Sequence, residues 1–96
     1  MIQIPVQCIS IVFGVRKDFP SPGVTATLTT QDNKVHSLIF FDQDIRQLFT
    51  VFDCTKLHNA RTKWVMLEKD DQGNILGISG YERITAIAFC VQELSR

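Results

Sequence analysis

Val24-Thr25-Ala26-Thr27-Leu28-Thr29-Thr30 is followed by Gln31-Asp32-Asn33-Lys34 and then by Val35-His36-Ser37-Leu38-Ile39-Phe40-Phe41. The first run alternates strictly. Val24, Ala26 and Leu28 point one way and Thr25, Thr27 and Thr29 the other, which is the period of an antiparallel strand with one wet face. Asp32 and Asn33 tolerate turn backbone angles, so the third run returns beside the second. Asp42 then stands where a helix N-cap belongs. Its carboxylate is placed to accept from the first free amides, and Asp44 adds negative charge near the positive helix end. Ile45, Leu48, Phe49, Phe52 and Leu57 follow at helical spacing, with Arg46, Gln47, Asp53 and Lys56 outside. Asn59 is the expected stop, giving a helix of roughly four turns.

Upstream, Val6 to Val15 reads as a long strand, with Ile9, Ile11, Phe13 and Val15 on one face and Cys8, Ser10, Val12 and Gly14 on the other. Two prolines and a glycine between Arg16 and Gly23 make the next segment a loop. Downstream, Thr62 to Lys69 is a strand, Asp70 to Asn74 a hairpin loop, and Ile75 to Ile78 a short returning strand. The last run, Arg83 to Leu94, is apolar on both faces and is expected at the centre of the sheet.

The order is β-β-β-α-β-β-β. It predicts a mainly β member of the α+β class: a bent antiparallel sheet, or a small partly open barrel, of about six strands with one helix. The 96 residues suffice for one domain spanning 1–96, with a core that needs no metal or disulfide staple.

Ten basic and ten acidic side chains cancel. A neutral chain is not suited to coating duplex nucleic acid by long-range attraction, and it associates readily unless part of its surface is covered. Cys8, Cys54 and Cys90 are odd in number and form no CxxC pair, so neither a disulfide framework nor a zinc knuckle is signalled. Reduced thiols, the absence of a basic secretory leader and the lack of any long apolar stretch predict a cytoplasmic protein outside the membrane.

Candidate chemistry is sparse. Cys54 and His58 are four apart with Asp53 beside them, so a continuous helix brings thiol and imidazole to one face. The negative end of a helix disfavours a thiolate, however, and no oxyanion loop accompanies the pair. Asp42/Asp44 and Asp70/Asp71 are explained by a helix cap and a hairpin tip. Gly73, Gly77 and Gly80 match neither a dinucleotide nor a phosphate loop. No cofactor, metal or catalytic set is expected. A basic and aromatic group remains: Arg16, Lys17 and Phe19 in the first loop, and Arg61, Lys63 and Trp64 entering the fourth strand, with Lys34, Tyr81 and Arg83 elsewhere.

The expected function is a small non-enzymatic protein-binding accessory or regulatory factor, of the inhibitor, immunity or phage-partner kind. It would act through surface contacts, with an unidentified protein partner or a second copy. The short fifth strand or the threonine-faced second strand is the expected docking edge. The alternative is an OB-like domain binding single-stranded nucleic acid through Arg16, Lys17, Phe19, Arg61, Lys63 and Trp64, whose cations neutralise phosphates while rings stack on bases.

Overall fold

In the computed structural model, residues 2–17, 21–80, 87–90 and 92–94 are described. The elements run β1 (Ile2–Gly14), β2 (Gly23–Thr30), β3 (Val35–Phe40), α1 (Gln43–Val51), a 3₁₀ turn (Leu57–Ala60), β4 (Trp64–Lys69), β5 (Ile75–Gly80), β6 (Ile87–Phe89) and β7 (Gln92–Leu94). They form one antiparallel sheet in the order β6-β5-β4-β1-β2-β3-β7. The fold is therefore mainly β with, among the described residues, a single α-helix, in the expected element order.

The alternating stretch behaves as its pattern dictates. Val24, Ala26 and Leu28 are buried, and they pair with Phe40, Leu38 and His36 on β3. The turn closes with the Thr30 amide donating to the Lys34 carbonyl at 2.8 Å. From β1 and β4, Val6, Cys8, Val65 and Leu67 enter the same core, together with Leu48 and Val51 of α1 and Phe52 at its C-terminal cap.

The last strand departs from expectation. It does not lie at the centre of the sheet. Its two described pieces stand at opposite ends, β6 against β5 and β7 against β3, with only Cys90 and residue 91 between them. One segment thus pairs with both margins, and the sheet curls back on itself. Among the described residues each piece has a strand on one flank alone, and of β6 Ala88 enters the core while Phe89 is 51% exposed, so apolar residues on both faces did not mark a central strand. Residues 83–86 of the expected strand lie outside the described residues.

β1 also differs in detail. Its pairing with β2 slips by one residue between Cys8 and Ser10, so Cys8 faces Leu28 whereas Ile11 faces Ala26 and Phe13 faces Val24. Cross-strand partners share a face. The extra residue at Ile9 is a bulge that transfers the core-facing role from even to odd positions. Cys8 is therefore on the face of Ile11 and Phe13, not on that of Ser10, Val12 and Gly14.

The helix is shorter than its periodicity suggests, ending at Val51. Asp53 takes a left-handed conformation (φ 51°), its amide donates to Thr50 O, and the Cys54 amide donates to Phe49 O. This is a Schellman-type end built on aspartate rather than glycine. At the other end, Asp42 makes no side-chain cap bond. Asp44 Oδ1 instead accepts from the Phe89 amide at 3.0 Å, which ties the first helical turn to β6.

Candidate interaction surface

β1 is longer than its partners. On one side β4 covers only Ile2 to Gln7, and the exchange is completed where the Cys8 amide donates to Lys63 O and the Thr62 amide donates to Cys8 O. Beyond Cys8, β1 has β2 on one flank and, among the described residues, no strand on the other. The expected docking edges are not edges. β2 is enclosed by β1 and β3, and β5 by β4 and β6.

The direction of the open polar groups follows from alternation. The Thr30 amide points to β3, so Leu28, Ala26 and Val24 also direct their backbone bonds there, and Thr29, Thr27, Thr25 and Gly23 direct theirs to β1. Their partners Gln7, Ser10, Val12 and Gly14 are thereby engaged with β2. Ile11 and Phe13 turn their amides and carbonyls to the open flank. The side chains here are uncharged on both faces, and Val12, Phe13 and Val15 are 58%, 68% and 76% exposed. Phe13 lies on the core-facing side yet remains exposed, because this end of the hairpin runs past the packed interior.

The basic and aromatic residues fall into two groups. Arg16 and Lys17 are exposed just beyond the end of β1. Arg61, Lys63 and Trp64 lead into β4, where Trp64 pairs with Gln7 and is 40% exposed. The Ile9–Gly14 stretch separates the groups by about 20 Å at an extended rise per residue. Lys63 Nζ donates to Asp53 O at 2.9 Å, fastening the entry of β4 to the end of α1. Phe19, Tyr81 and Arg83 lie outside the described residues.

Cys54 and His58 do not share a helical face, because α1 stops before either; His58 belongs to the 3₁₀ turn. Burial raises the Cys54 thiol above its ordinary range, against an opposing pull from Lys63, so the thiolate is disfavoured. Burial pushes the Cys8 thiol up to about 11. Among the described residues no three His, Cys, Asp or Glu side chains gather as metal ligands, and no helix is long and apolar enough to cross a membrane.

Two further polar features went unread in the sequence. A cleft of about 280 Å³ is lined by Ile4, Thr30, Asp32, Lys34, His36 and Lys69, among others. Within it Thr30 Oγ1 donates to Asp32, which also lies 3.8 Å from Lys34 Nζ. On the outer side of β4, Glu68 is fully buried. Its Oε2 accepts from Ser79 Oγ (2.6 Å) and Gln3 Nε2 (2.9 Å), and its Oε1 has no hydrogen-bond partner among the described residues. The sole sequence signal for this site is the period-two placement of Glu68 beside Met66 rather than Leu67.

No family model, curated protein or solved structure matches the chain.

Proposed function

We propose that this chain is a small, non-enzymatic protein-binding factor that takes an extended strand of a protein partner against the open flank of β1. The observation that carries this reading is a flank with no strand against it among the described residues, bordered by apolar side chains. Ile11 and Phe13 offer amides and carbonyls while Val12, Phe13 and Val15 stand exposed beside them. Natural edge strands are usually blunted by lysine, proline or short length. None of those devices interrupts Ile9 to Val15, and the bulge at Ile9 lies at the start of the stretch rather than across it. Strand addition supplies affinity through the backbone and selectivity through alternate side chains.

Capture of tagged protein from lysate, with and without nuclease, tests this when wild type and Phe13→Pro are compared. Proline removes an open-flank amide and leaves the β1–β2 bonds in place. The expected outcome is a discrete, nuclease-resistant protein that the variant loses, with slowed hydrogen exchange at Ile11 and Phe13 in the complex. Capture indifferent to the variant would overturn the reading. Nuclease-sensitive material that depends on Lys63 and Trp64 would replace it with single-strand nucleic-acid binding.

A further inference from the structure

Resting on that reading, we infer that the strand taken by β1 is β1 of a second copy, running antiparallel about a two-fold axis at Val12. The open stretch is bounded by Cys8, whose amide and carbonyl already bond Lys63 and Thr62 just ahead of β4, and by Arg16, the first charge. Between them Ile9 to Val15 is symmetric about Val12 in length. Setting two copies antiparallel with Val12 on the axis places Ile11 opposite Phe13 of the second copy, and Phe13 opposite its Ile11.

These are the residues whose backbone groups face outward, so each pair exchanges two hydrogen bonds and none of the four groups is left over. On the core-facing side the two pairs join an aromatic to a β-branched side chain, a favoured cross-strand combination. On the other side Val12 meets Val12 of the second copy in a non-hydrogen-bonded pair, where strands approach most closely. No side chain in the stretch carries charge, so self-pairing opposes no like charges. The closed two-fold arrangement also leaves no flank of this stretch exposed for further growth. A one-residue slip would bring inward-turned polar groups against outward ones, so the register is specified.

Sedimentation of the full chain from micromolar to millimolar concentration tests the inference, with Phe13→Pro and Phe13→Lys as variants. The expected wild-type mass is twice the 10.9 kDa of one chain. Each variant should halve it: proline by removing an amide, lysine by placing cations near one another across the axis while keeping the amide. Phe13→Lys decides the matter if the proline variant fails to fold. Added salt should not weaken the dimer, whereas nucleic-acid binding falls steeply with salt. Val12→Cys should oxidise in air, two thiols yielding one disulfide with oxygen as the electron acceptor, to a covalent dimer; Phe13→Cys should not exceed the wild-type background.

A wild type that stays monomeric, or a dimer that both Phe13 variants leave intact, overturns the inference. A monomer that still captures a protein in a Phe13-dependent way overturns it while sparing the proposed function.

Discussion

Glu68 is fully buried; one carboxyl oxygen has no partner among the described residues, and the other holds Ser79 and Gln3. Removing this acceptor leaves the buried Ser79 hydroxyl unsatisfied. Glu68→Ala is therefore expected to cost on the order of 1–3 kcal/mol. In a double-mutant cycle with Ser79→Ala, denaturant unfolding should show a coupling of about 0.5–3 kcal/mol; additive effects would place Ser79 outside the interaction. Asp70 acts differently, organising a hairpin tip in water. Its carboxylate accepts from the amides of Gln72 and Asn74 and from Asn74 Nδ2, and these bonds, chiefly those from Asn74, hold it below the ordinary 3.8. A carboxyl lowered in the folded state contributes stability above its ordinary value and loses it as pH falls through the lowered one. The Asn74 amide resonance should therefore titrate with a midpoint below pH 3.8, and a midpoint at or above it would contradict these bonds.

At the scale of the element, α1 shows how a short end motif overrides a longer periodicity. The apolar spacing continues to Leu57, yet the chain leaves the helix at Asp53 because its amide and that of Cys54 turn back to Thr50 and Phe49. Aspartate at positive φ is strained by roughly 1–2 kcal/mol, and its charge lies at the unfavourable helix end. Asp53→Gly is expected to raise unfolding stability by up to about 1 kcal/mol, after glycine's greater unfolded freedom offsets part of the relief. The Lys63 bond goes to the backbone carbonyl of Asp53, so the substitution preserves it. In the strands, local pattern was more faithful. β2, β3 and both hairpin turns lie within a residue or two of where alternation and turn chemistry placed them, since each depends on neighbours close in sequence.

At the scale of the whole molecule, closure depends on β5 and β6 approaching more closely than side chains permit. A Cβ added at Gly77 would overlap the Ala88 carbonyl oxygen, with the Phe89 Cα at 2.8 Å. Gly77→Ala should push β6 from β5, disturb the Asp44 bond to Phe89 and cost about 3 kcal/mol, read as loss of cooperative thermal unfolding. An unchanged melting profile would show that the curl is not closed at this point. The basic and aromatic residues expected to bind nucleic acid fall into two groups among the described residues. Arg16 and Lys17 lie at one end of the Ile9–Gly14 stretch and Arg61, Lys63 and Trp64 at the other, a separation set by the length of β1 beyond its pairing with β4.

What the sequence determined by itself was the set of local choices: strand or helix by period, turns by Asp, Asn and Gly, and the β-β-β-α-β-β-β order that follows. Only the tertiary structure decided which margins of the sheet are open, that 87–94 closes it rather than filling its centre, and that Ile9 is a bulge. The reason is physical. Register and neighbour are contacts between residues far apart in the chain, and one inserted residue in a strand apolar on both faces leaves no break in the pattern while exchanging the faces beyond it.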